Sequence, residues 1–142
     1  MKTLLLMRHG KSSWKDDSLD DFDRPLKKRG RRDVPKMADL MKEERLIPDY
    51  LLSSPAVRCS QTVEILSEEL DLTDDMIEYV EEFYKAEIED YLDVLTDVAD
   101  SFRKVMIVAH NPSLEGLLQT LTGEIEPLPT SAIACIKIGI SS

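Results

Sequence analysis

"LLLMRHGKSSW", residues 4–14, runs four apolar residues into an Arg-His-Gly triplet and a Gly-Lys-Ser tail. The tail echoes a P-loop, in which a glycine-rich loop wraps phosphates with backbone N–H groups. That motif requires a glycine five residues before the Gly-Lys-Ser, and here the position is Leu5. A bulky apolar side chain there prevents the backbone from forming the nest, so the Gly-Lys-Ser match is fortuitous. The stretch reads instead as a short buried strand, residues 2–7, that delivers Arg8 and His9 at its carboxyl end.

The same pattern recurs. "DYLLSS" (49–54) and "KVMIVAH" (104–110) are short apolar runs bounded by polar residues. "AIACIKIGI" (132–140) is rich in β-branched side chains, and "MIEYV" (76–80) is a weaker strand. Helical spacing lies between them. Val34, Met37, Ala38 and Met41 follow an i, i+3, i+4, i+7 pattern, with Pro35 either near the helix start or at a kink. A helix is expected over 55–70 with Pro55 in its first turn, and another over 88–98. Leu114, Leu117, Leu118 and Leu121 mark a last helix, with Ser113 as its N-cap and Gly123 as its stop. Strands alternating with helices predict an α/β fold: a three-layer α/β/α sandwich around a mainly parallel sheet of five or six strands. With 142 residues and 42% hydrophobic content the chain is expected to form a single domain, 1–142.

Composition narrows the function. The net charge of −10 argues against nucleic acid as the main partner. Residues 1–60 nevertheless carry 14 of the 18 basic residues against 10 of the 28 acidic ones, so a basic pocket for a small anionic group is expected there. No apolar run is long enough to span a bilayer and the N-terminal stretch does not read as a signal peptide, so a cytoplasmic protein without membrane contact is expected. Cys59 and Cys135 have no paired spacing and read as two buried free thiols. No coiled-coil pattern is present, and a monomer is expected.

Parallel sheets bind ligands beyond the carboxyl ends of their strands, and the chemistry-bearing residues collect there. Arg8, His9 and Gly10 follow the first strand; Ser53, Ser54, Pro55 and, one helical turn later, Arg58 follow the second; His110, Asn111 and Pro112 follow the fourth. Both histidines of the chain therefore lie at strand ends. No carboxylate stands beside either in a ligand-spaced motif and Asn111 is a poor zinc ligand, so neither a metal nor another cofactor is expected. Neutral imidazole is a competent nucleophile, and a phosphoryl group in transfer needs fixed cations around its equatorial oxygens. Two histidines and two arginines at one sheet edge suit that task.

"LLLMRHGKS", "LLSSPAVRCSQT" and "VMIVAHNPSLEGLLQTLTG" together resemble the histidine phosphatase, or phosphoglycerate-mutase-like, superfamily, from Leu4 to about Ile138. "DRPLKKRG" (23–30) and "TSAIA" (130–134) resemble its small SixA-like branch of phosphohistidine phosphatases. The resemblance implies His9 as nucleophile through a phosphohistidine intermediate that water hydrolyses. It implies Arg8 and Arg58 as phosphate ligands, His110 as the second pocket histidine, and a backbone donor at Asn111. Arg24 would line the substrate entrance or pair with neighbouring aspartates, and Lys11 is a similar case. Larger members place a general acid after the third strand, and Glu82, before "FYKA", is the candidate here. An alkoxide leaves badly without such an acid, whereas a protonated imidazole leaves well. The expected activity is therefore metal-independent dephosphorylation of protein phosphohistidine. The alternatives are hydrolysis of small phosphate esters and a non-catalytic phosphate-binding module.

Overall fold

The computed structural model describes residues 2–138. Its elements follow the alternation expected: β1 (Lys2–Arg8), α1 (Lys28–Glu43), β2 (Tyr50–Ser53), α2 (Val57–Leu70), β3 (Ile77–Tyr79), α3 (Ile88–Asp97), β4 (Lys104–Ala109), α4 (Ser113–Thr122) and β5 (Ile133–Ile138). Among the described residues the sheet has five strands in the order β3-β2-β4-β1-β5. β3, β2, β4 and β1 pair in parallel, and β5 closes the edge antiparallel to β1.

The apolar runs are continuous because both faces of the central strands are buried. Leu5 and Met7 of β1, Leu51 of β2, and Met106 and Val108 of β4 pack against Val34 and Ala38 of α1 and Val63 and Leu66 of α2. The alternate residues Leu4, Leu6, Leu52, Val105 and Ile107 pack on the other face against Tyr91 of α3 and Leu114 and Leu117 of α4. The two-residue period of a strand thus splits one apolar run between two cores and yields three layers. Each buried leucine contributes about 1.5–3 kcal/mol. The sheet is therefore a rigid base for whatever its carboxyl edge carries.

Three local expectations change. α1 begins at Lys28, seven residues before Pro35, which is internal to the helix and gives the Arg31 carbonyl no donor. Pro112, not Ser113, holds the cap position of α4; the Ser113 hydroxyl is turned to the His110 carbonyl and the Tyr91 hydroxyl instead. Gly123 does end that helix, in the left-handed conformation (φ 79°). Of the two free thiols only Cys59 is buried, whereas Cys135 is exposed on the edge strand β5, opposite Ala134 and Ile136, which face the second core. The last residues of the expected strand over 132–140, including Ile140, lie outside the described residues.

Candidate active site

β1 and β4 are neighbours, yet the chain leaves them towards opposite faces of the sheet, to α1 and to α4. Such a divergence opens a crevice at the carboxyl ends of the two strands. Arg8 is in register with Ala109, so His9 and His110 emerge side by side, with ring centroids 5.3 Å apart. Both are buried, at 6% and 8% exposure. The His9 backbone N–H donates to the Ala109 carbonyl at 3.2 Å, which locks the two strand ends together.

His9 Nδ1 lies 2.7 Å from the Gly10 carbonyl, which can only accept. The ring proton is therefore on Nδ1, and Nε2 keeps its lone pair. Burial pulls the His9 pKa down; the Gly10 hydrogen bond opposes this, and the charges of Arg58, Arg8 and Arg24 add to it, leaving it at about 4. His110 falls to about 3, through burial first and then the charges of Arg58 and His9. Both imidazoles are neutral at physiological pH. His110 Nε2 faces Ser54 Oγ at 2.7 Å, and that hydroxyl already accepts from the Ala56 N–H. With Ser54 donating to Nε2, which Cys59 Sγ also approaches at 3.6 Å, the His110 proton is on Nδ1. Nδ1 is buried without a partner.

Arg58 enters from the first turn of α2. That turn is fixed by Thr62, whose hydroxyl donates to the Arg58 carbonyl at 2.7 Å and accepts from the Gly10 N–H at 3.1 Å. Arg58 Nη1 donates to the Asp21 carbonyl at 2.7 Å and Nη2 to the Asp21 carboxylate at 3.0 Å. Arg8 donates through Nη1 to the Leu128 carbonyl at 3.2 Å. The Nε atoms of Arg8 and Arg58 are both buried and unpartnered. Unpaired buried donors are costly, and both arginines lie close enough to His9 for their charges to lower its pKa, so the site suits an anion. Among the described residues no three His, Cys, Asp or Glu side chains cluster to hold a metal ion.

The remaining expected residues are placed as follows. Arg24 is buried in the wall rather than free at an entrance: it donates to Ser12 Oγ at 2.8 Å, pairs with Asp21 at 3.0 Å, and lies 3.4 Å from the centroid of the exposed Trp14 ring. The pairing with a neighbouring aspartate is the second of the two readings of Arg24. Lys11 is half-buried, with its backbone packed on Gly30; a Cβ on Gly30 would lie 2.4 Å from the Lys11 carbonyl oxygen. The Asn111 amide donates to Glu115 Oε2 and to the Leu128 carbonyl, each at 2.8 Å, so its side chain anchors the loop that also receives Arg8.

Glu82 is not brought into the crevice. It is exposed on a short 3-10 turn, Glu81–Phe83, that buries Phe83 and turns both glutamates to solvent. The cleft of about 430 Å³ beside His110 is lined instead by Tyr84, Lys85, Glu87, Ile88 and Pro112 among others.

Three residues near the site were not singled out from the sequence. Asp21 joins Arg58, Arg24 and Tyr84 through one carboxylate. Tyr84 packs edge-on to Phe22 and lies 5.8 Å from His110. Ser131 has a left-handed backbone (φ 67°), and its N–H is shared by the carbonyls of Arg8 and His9, each at 3.0 Å; its hydroxyl is buried and unpartnered. "FYKA" and "TSAIA" held Tyr84 and Ser131 in view, but an aromatic residue and a serine carry no signal of a long-range partner.

Comparison with known proteins gives the geometry its family. The profile of the histidine phosphatase superfamily (branch 1) matches residues 4–92. An uncharacterised chloroplast protein of Arabidopsis thaliana is 28% identical over 144 residues, covering 96% of this chain; the chain spans 66% of that relative's length. A protein of Agrobacterium tumefaciens assigned as a phosphohistidine phosphatase SixA is 34% identical, with a TM-score of 0.87 over 94% of this chain and 90% of its own. The protein histidine phosphatase SixA complexed with tungstate is 27% identical, with a TM-score of 0.84 over 96% of this chain and 88% of its own. The matched segment contains Arg8, His9 and Arg58. This chain belongs to the histidine phosphatase superfamily, in its SixA-like branch, and is a hydrolase of that type.

Proposed function

We propose that the protein hydrolyses phosphohistidine displayed on another protein, without a metal ion, by passing the phosphoryl group through His9. The lone pair of His9 Nε2 forms the new N–P bond while the P–N bond to the substrate imidazole breaks, and that electron pair stays on the leaving nitrogen. When the substrate ring carries a proton on its other nitrogen it departs as neutral imidazole, so no acid is needed. Water then attacks phosphorus, the bond to His9 breaks with its pair returning to Nε2, and inorganic phosphate leaves with the oxygen of the water. Arg8, Arg58 and His110 hold the equatorial oxygens, where charge accumulates. The backbone at Asn111 is a further donor in this reading, with Lys11 lining the approach and Arg24 held in the wall by Asp21.

The observation that carries the reading is the trio of buried, unpartnered nitrogens, Arg8 Nε, Arg58 Nε and His110 Nδ1, on the two arginines whose charges reach His9 and on the ring beside it, with His9 Nε2 unprotonated. The chemistry of the leaving group supports phosphohistidine as substrate. Glu82 is exposed, and Asp21, the carboxylate nearest the arginines, is held ionised at about 2, so neither supplies a poised acid for an alkoxide. The SixA likeness points the same way.

The test is a substrate panel with chelator present: a phosphohistidine-bearing protein, p-nitrophenyl phosphate and a sugar phosphate. Preferred turnover of the phosphohistidine protein, abolished in His9→Ala, is expected. Equal or faster turnover of the sugar phosphate at saturation would assign the enzyme to small esters. Loss of activity with chelator would refute metal independence. Phosphate binding by a wild type that turns over nothing would leave a binding module.

A further inference from the structure

Asp21 stands beside the two arginines and Tyr84 with both carboxylate oxygens committed to them. Oδ1 accepts from Arg24 Nε at 3.1 Å and lies 3.0 Å from Arg24 Nη2. Oδ2 accepts from Arg58 Nη2 at 3.0 Å and from the Tyr84 hydroxyl at 2.7 Å. The side chain is half-exposed at 49%, while the two arginines are nearly buried at 7% and 9%. An internal anion therefore occupies one edge of each guanidinium, and it is the more exposed partner of each pair.

Two simpler roles fit poorly. As a general acid Asp21 would need a proton; burial pushes its carboxyl up, but the hydrogen bonds from Tyr84 and Arg58 and the arginine charges outweigh this and hold it at about 2. As a mere tether for Arg58 its carboxylate would be redundant with its own backbone carbonyl, which already holds Nη1 at 2.7 Å.

We propose that Asp21 is an internal counter-anion that competes with inorganic phosphate for Arg58 and Arg24 and thereby sets product release. The inference rests on the reading of this crevice as a phosphate site. A dianion surrounded by arginines in a partly desolvated pocket leaves slowly. A carboxylate that takes back the same guanidinium edges offsets the loss as phosphate departs, and its like charge weakens phosphate binding throughout. The device suits a hydrolase, which must discharge phosphate on every cycle.

The experiment measures binding of inorganic phosphate by calorimetry, and its Ki against p-nitrophenyl phosphate, in wild type, Asp21→Asn, Asp21→Ser and Asp21→Glu. Asparagine keeps the shape and one acceptor for the arginines but removes the charge. Phosphate is expected to bind about tenfold more tightly to Asp21→Asn and Asp21→Ser, as for removal of one screened like charge from a dianion. Their kcat and KM are expected to fall together, with a burst of p-nitrophenol when release becomes limiting. Asp21→Glu, which keeps the charge, is expected to stay close to wild type. Unchanged or weaker phosphate binding in the charge-removing variants, or equal tightening in Asp21→Glu, would overturn the inference alone. Absence of phosphate binding in the wild type and in every variant would overturn the phosphate-site reading with it.

Discussion

Acidification offers the sharpest quantitative check, because the protein has only two histidines and both are in the site. Burial and the surrounding arginines lower His9 from 6.5 to about 4 and His110 to about 3. At pH 6.5 an ordinary imidazole is half protonated, whereas His9 at about 4 is protonated in roughly 0.3% of molecules. The sign of the stability effect follows. Between pH 4 and 6.5 the unfolded chain binds the proton that folded His9 refuses, so stability rises with pH in that window. It is lost as pH falls, by about 3 kcal/mol for His9 alone by pH 4. Two-dimensional NMR of the imidazole nitrogens reports both rings separately. The account predicts that each stays neutral down to pH 5, with His9 in the Nδ1–H form, and that added phosphate raises both midpoints. A midpoint near 6.5 for either ring in the ligand-free protein, or an Nε2–H form for His9, would refute the assignment of the nucleophilic nitrogen.

Three further outcomes are expected. Arg58→Lys keeps a positive charge but loses the fork that spans Asp21 and the pocket, and is expected to lower kcat/KM by about 10²–10³-fold with the fold intact by circular dichroism. Glu82→Gln is expected to leave kcat on a sugar phosphate within about twofold; a larger loss there with phosphohistidine turnover intact would make Glu82 the acid after all. Gly30→Ala drives a Cβ to 2.4 Å from the Lys11 carbonyl oxygen, so urea unfolding should show a loss of about 2 kcal/mol or more, because backbone on both sides must shift.

The legible part of this protein is the part written in short-range pattern. Short apolar runs bounded by polar residues, with one β-branched run, located the five strands of the described residues, and the rule that ligands gather beyond strand ends brought Arg8, His9, Arg58 and His110 to one edge, where the β1–β4 register places the two histidines side by side. What stayed illegible depends on tertiary partners. Ser113 looks like a cap until Tyr91 claims its hydroxyl. Glu82 stands in the right segment, but a tight turn that buries Phe83 swings it outward and sends Tyr84 to the crevice. Asp21 is one of several aspartates in a row, and only the fold shows which one meets Arg58, 37 residues away.

The central claim is that His9 carries the phosphoryl group. Rapid quenching of the wild type with a ³²P-labelled phosphohistidine protein, followed by proteolysis and mass spectrometry, tests it directly. An acid-labile, alkali-stable phosphate on His9 Nε2 is expected to form within one turnover and to be absent in His9→Ala. Label on another residue, or turnover retained in His9→Ala, would contradict it.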